Sequence, residues 1–195
     1  MDRERLDGIT LKYNAPVTLT LALLAMLALA LGELTNGWTT QNLFSFYKSS
    51  PSDYLTYPRA ILHVLGSTDL TVCTANIILL LVIGAAAEER FGSAKVLTAV
   101  LITAVVCALI VWLRYPDSSI MGMRSLLFML MVLAGFACAG RGSVPITLLL
   151  ILLLFIGREV VEIVSNGINL QTLTDIVGGA VGAMLGLAFS RGGGE

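Results

Sequence analysis

Met121-Gly122-Met123-Arg124-Ser125 opens one long apolar stretch, and Thr174-Asp175-Ile176-Val177-Gly178-Gly179 opens another. The runs behind these openings decide the fold. Stretches of this length and purity are membrane spans, not strips of a water-soluble core. The openings also put one cation and one anion within the reach of the hydrocarbon. A charge at that depth costs at least a few kcal/mol and is either paired or functional.

Working outward, the 195-residue chain is 56% hydrophobic and only 13% charged. A soluble domain carries about 25% charged residues, so the reading is an all-α polytopic membrane protein in one compact unit. Apolar runs predict six spans, at about 15–32, 70–87, 94–113, 125–139, 145–157 and 173–190. The polar segment 1–14 precedes them and the glycine-rich tail 191–195 follows. The first run is too long for a cleavable signal and lacks a small-x-small site behind it, so it is read as a span. Segment 33–67 is too long and too aromatic for a simple connector and is expected to lie partly ordered at the membrane interface. Glu88-Glu89-Arg90-Phe91-Gly92 reads as a charged stop after the second span, and Gly140-Arg141-Gly142 closes the fourth. The fourth and fifth spans are short, which suggests central helices surrounded by longer ones. The fifth is expected to continue past Gly157 through Glu159 and Glu162 beyond the membrane.

Six spans put both termini on one side. With the termini inside, the inner segments hold seven basic residues (Arg3, Arg5, Lys12, Arg90, Lys95, Arg141 and Arg191) against four outside (Lys48, Arg59, Arg114 and Arg158). The surplus favours cytoplasmic termini, and the small core suggests a bacterial inner membrane. A net charge of −1 with no basic run argues against nucleic acid. Cys73, Cys107 and Cys138 all fall in apolar runs and read as small buried hydrophobes. One histidine and three scattered cysteines make no metal-ligand set, and nothing calls for a cofactor.

Several polar residues stand out. Gly178, Gly182 and Gly186 recur every fourth position and strip side chains from one helix face, which lets another helix approach to backbone contact. Asn76 sits in the second span and needs partners there, structural or functional. His63, with no nucleophile nearby in sequence, reads as a histidine satisfying loop backbone groups. Ser118, Ser119 and Ser125 read first as turn and helix-cap residues, since a serine with no base in reach is a poor nucleophile. Arg124 and Asp175 head separate spans. An Arg there opposes the helix dipole and calls for a carboxylate.

From Tyr57 to Ser190 the chain resembles the rhomboid family of intramembrane serine proteases. The resemblance is carried by Asn76, by Glu88-Glu89-Arg90-Phe91-Gly92-Ser93 (similar to the family's Glu-Arg-x-Gly-Ser stop), by Gly122, and by Gly178-x-x-x-Gly182. Arg59 resembles the Arg of the family's Trp-Arg motif, although Pro58 stands where the Trp would be. The resemblance implies a six-transmembrane-helix rhomboid-like bundle spanning 15–190, with 33–67 as its long outer loop.

It also implies where catalysis would lie. The family's Gly-x-Ser-Gly nucleophile position falls on Arg124, the base position on Asp175, and the second-helix His and Asn positions on Val72 and Asn76. Only Asn76 is kept. Arg offers no nucleophilic atom at working pH, so a pseudoprotease binding the transmembrane segments of client proteins is expected, with Asn76 and Gly122 in its polar notch. An Arg124–Asp175 ion pair would replace the lost dyad and pin the fourth helix to the sixth. One alternative is an active protease with Ser125 as displaced nucleophile, although that position is rotated about 100° around the helix. Another is a small-solute transport or membrane-scaffold role, which would require more polar residues along the spans.

Overall fold

The computed structural model of the protein describes residues 15–49, 53–139 and 146–191. The expected N-terminal segment 1–14, the Gly140-Arg141-Gly142 turn, Pro145 and the tail 192–195 lie outside the described residues.

Helix α1 (Pro16–Leu34) has Pro at its first position, where the missing N–H costs nothing. Its other free amides are met from far along the chain. Glu88 accepts from Val17 N and Thr18 N, both at 2.8 Å, and from the Thr18 hydroxyl at 2.7 Å. The helix that carries Glu88 ends at Phe91, within the expected charged stop of the second span, and Glu88 has a second role there, as a buried cap on α1. That second span comprises α4 (Leu70–Leu79), a π turn (Leu80–Gly84) and α5 (Ala85–Phe91). It begins where the Asp69 side chain caps Val72 N at 2.9 Å. It ends at Gly92, whose φ of +85° a side chain would strain.

The long loop between these spans is ordered where described. It carries the short helices α2 (Trp38–Asn42) and α3 (Thr56–Leu62) and the strand β1 (Phe46–Tyr47). β1 pairs antiparallel with β2 (Ser119–Ile120), Phe46 facing Ile120 and Tyr47 facing Ser119. Ser119 is therefore a strand residue, not a cap. Arg59 pins the loop: it is buried, pairs with Asp53 at 3.0 Å, donates Nε to the Asn42 carbonyl at 2.6 Å and stacks over Tyr47.

Helix α6 (Ser93–Arg114) turns a small-residue face inward, with Ala99, Thr103, Ala104, Cys107 and Ala108 buried at helical spacing. Helix α7 (Arg124–Ala139) is the centre of the molecule, its Leu126, Leu127, Met129, Leu130, Met131 and Leu133 all inaccessible. Helix α9 (Leu170–Arg191) lies along it. A Cβ on Gly178 would strike the Ser125 backbone, one on Gly182 the Met129 backbone, and one on Gly186 the Phe136 ring. The glycine stripe is thus a packing device, as expected. It brings two backbones together and maximises dispersion contact where no hydrophobic effect operates.

Helix α8 (Ile146–Asn166) departs from expectation. It is neither short nor central: Leu149, Leu150, Leu153 and Leu154 are exposed, and the helix touches α7 and α9 only lightly. The span does not stop at Gly157, because a helical glycine costs only about 1 kcal/mol. The following charges do not leave the fold either. Gly167, with φ +74°, ends α8, and Asn169 Oδ1 caps α9 by accepting from Thr172 N at 2.8 Å. Helix α9 accordingly starts at Leu170, three residues before the apolar run expected at 173.

Among the described residues, four helices are long and apolar enough to cross a bilayer: Pro16–Leu34, Leu70–Phe91, Ser93–Arg114 and Leu170–Arg191. Helix α7 is a shorter apolar helix over Arg124–Cys138. The outward faces of α1, α4, α6 and α8 are lined with bare Leu, Ile and Val, a surface suited to hydrocarbon and not to water.

Candidate functional site

The first residue of α7, Arg124, meets two carboxylates. Its Nη2 stands 2.9 Å from Asp175 Oδ2 on α9 and donates to Glu159 Oε1 on α8 at 2.7 Å. The expected Arg124–Asp175 pair is present, but it is one arm of a triple. Asp175 is further held by Gln171, whose Nε2 donates to Oδ1 at 3.0 Å. Glu159 and Asp175 are only 5% and 2% exposed, so one guanidinium balances two buried carboxylates and the formal sum is −1. Arg124 Nε and Glu159 Oε2 bond no described residue.

Glu159 is the residue that sequence reasoning missed. It was expected beyond the membrane, yet among described side chains of α8 it alone is buried. With the stacked rings of Phe155 and Phe128, 6.1 Å apart, it fastens the loosely packed α8 to α7. A signal for it existed. The apolar pattern resumes after it in Val160, Val161, Ile163 and Val164, so the helix continues and one face carries the carboxylate inward.

In front of the triple lies a cleft of about 170 Å³, lined by Ser67, Asp69, Val72, Asn76, Gly122 and Arg124. Residues 72, 76, 122 and 124, picked out separately in the sequence, thus meet in one place. The Asn76 side chain is half-buried there and its amide bonds no described residue. Gly122 takes φ +105° and donates its N–H to the His63 carbonyl at 2.8 Å. A side chain at 122 would strain that turn, and with it the entry of Arg124 into α7.

Ser125 does not join the cleft. It is 1% exposed and its backbone is covered by Gly178. It is a buried helical residue and not the cap expected from sequence. His63 is fully buried beside Phe46, with Nδ1 3.2 Å from the Ala60 carbonyl and Nε2 bonding no described residue. Burial pushes its pKa down from 6.5 to about 4, so it is a neutral imidazole donating from Nδ1. It serves the loop backbone, as expected, with one nitrogen left over. Arg59 lies outside the cleft, in the loop anchor described above. Cys73 and Cys107 are buried and Cys138 is half-buried, all as free thiols.

Fold and site together define an all-α membrane protein whose core helix α7 enters through a buried three-charge cluster beside a small polar cleft. In comparisons with known proteins, no family model and no curated protein matches this chain.

Proposed function

We propose that the protein is a rhomboid-like pseudoprotease that binds transmembrane segments of client proteins laterally and influences their folding, trafficking or turnover. The observation that carries the reading is the cleft. Val72, Asn76, Gly122 and Arg124, the positions assigned by the family resemblance to the oxyanion groups and the nucleophile, line or border one notch. Asp175, at the base position, lies 2.9 Å from Arg124. In this reading α8 is a fifth span and α7 a fourth, which makes six, with both termini on the cytoplasmic side of a bacterial inner membrane as the basic residues favour.

The chemistry argues against proteolysis. A guanidinium shared by two carboxylates has no nucleophilic atom, and Asp175 is occupied by Arg124 and Gln171. Ser125, the fallback nucleophile, is buried and bonds neither carboxylate. The notch retains donors in Asn76 and Arg124, which suit the polar groups of a client helix arriving from the bilayer.

The test is made in proteoliposomes with a generic rhomboid transmembrane substrate. A photocrosslinker at Val72 should capture the substrate helix while the native protein leaves it uncut. Arg124→Ser/Glu159→Gln/Asp175→His should bring back measurable cleavage. Cleavage by the native protein that vanishes in Ser125→Ala would establish the active-protease alternative instead. Absence of crosslinking at Val72 would remove the client-binding reading.

A further inference from the structure

The long outer loop leaves a groove against α6 that the cleft does not use. It has a volume of about 340 Å³ and is lined by Phe46, Tyr57, Ala60, Val105, Leu109 and Trp112. Its walls are almost wholly apolar. Val105 and Leu109 are about half exposed on the outward face of α6, so the groove opens sideways into the bilayer.

Its position along the membrane is set by α6. Val105 to Trp112 occupy the last turns before the helix ends at Arg114. The groove therefore starts at the water interface and reaches about 10 Å inward at 1.5 Å per residue. Tyr57 and Trp112 stand at its mouth, where amphipathic rings settle.

A cation stands at the same mouth. Lys48 places Nζ 5.4 Å from the centre of the Trp112 ring. The loop carboxylate Asp53 is taken by Arg59, and Lys48 forms no ion pair among the described residues. Neither its ammonium nor the Trp112 indole N–H has a hydrogen-bond acceptor there. An apolar trough running into the bilayer, headed by an unpaired ammonium and a free indole donor, has the chemistry of an acyl chain below a phosphate.

We propose that this groove is a binding site for one anionic phospholipid, its acyl chain along Val105 and Leu109 and its headgroup phosphate on Lys48 and Trp112. The groove shares no lining residue with the cleft, and the proposal does not depend on the pseudoprotease reading. The bound lipid would seal the loop, through β1 and α3, against the membrane.

The experiment is native mass spectrometry of the purified protein during titration with phosphatidylglycerol or phosphatidylcholine. One phosphatidylglycerol should remain bound where phosphatidylcholine does not. Lys48→Ala should weaken that binding about fivefold, the worth of one basic residue at an anionic surface. Val105→Trp, which fills the groove, should abolish it. If Val105→Trp does not fold, Leu109→Trp fills the same space. Leu153→Trp, on the exposed face of α8, should bind as the native protein does, and glycerol phosphate should not compete. Equal retention of both lipids, native affinity in Lys48→Ala and the groove-filling variants, equal loss in Leu153→Trp, or displacement by glycerol phosphate would each overturn the proposal.

Discussion

Replacing Arg124 by alanine should be the most damaging single change in the charged cluster, and the reason is arithmetic. The native sum of Arg124, Glu159 and Asp175 is −1, with both carboxylates buried and both within 2.9 Å of Nη2. Arg124→Ala leaves −2, two like charges on buried carboxylates with no cation between them. Breaking a buried ion pair in this way costs about 3–5 kcal/mol. Glu159→Gln, by contrast, leaves one cation facing one anion, a sum of zero, and keeps an oxygen to accept from Arg124. It should cost about 1 kcal/mol, the net worth of a hydrogen bond. Neutralising both carboxylates in the Arg124→Ala background should restore most of the loss, because no uncompensated charge remains. Arg124→Ser/Asp175→His alone strands Glu159 as an isolated buried carboxylate, so the pair needs Glu159→Gln beside it to be tolerated. Reversible unfolding in mixed micelles, followed by circular dichroism, gives the free energies. The reasoning fails if Glu159→Gln costs as much as Arg124→Ala. It fails equally if Arg124→Ala/Glu159→Gln/Asp175→Asn is no more stable than Arg124→Ala, since residues in one network must show strong coupling.

Three further outcomes are expected. Glu88→Ala removes three hydrogen bonds from the start of α1 and should lower stability by about 2–3 kcal/mol in the same unfolding measurement; an unchanged midpoint would mean that water replaces the cap. Gly182→Leu drives a side chain into the Met129 backbone and should cost about 3 kcal/mol or more, whereas Gly157→Ala, with open space around it, should gain about 0.5–1 kcal/mol; similar shifts at both sites would refute the glycine-contact account. For His63, the unfolded chain takes up a proton near pH 6.5 and the folded protein only near 4. Its contribution is therefore complete above pH 6.5 and is lost as pH falls toward 4, by about 3 kcal/mol across that window. His63→Gln should flatten the stability profile between pH 6.5 and 4.5 relative to the native protein, and identical profiles would mean that folding leaves the titration of His63 unshifted.

The membrane class and the position of most helices were legible because hydrocarbon imposes a one-dimensional rule. A span must be apolar for its whole length, and that requirement is visible residue by residue. The glycine stripe at 178, 182 and 186 was legible for the same reason: a period of four on a helix is a face, and a face without side chains is a contact. The demand of Arg124 for a carboxylate could also be read, because a charge near hydrocarbon has few ways to be stable.

What the sequence left open was which residues answer those demands, since that depends on distance in space. Glu88 looked like the end of a helix and is the cap of another, some 70 positions away in the chain. Glu159 looked like a charge on the part of the helix beyond the membrane. It is the second anion on Arg124 because α8 packs with that one face against α7. The role of Glu159 was missed because a charge leaves the packed helices only when water must solvate it, and here a guanidinium does so instead. The meeting of Val72, Asn76, Gly122 and Arg124 in one cleft, and of Lys48 with Trp112 above a groove, likewise arose only from packing. Local physics fixed which stretches are apolar enough to cross a membrane. The pairing of charges and the shape of the cavities needed the helices side by side, because Coulomb and dispersion forces act across a few ångströms of space regardless of how many residues lie between.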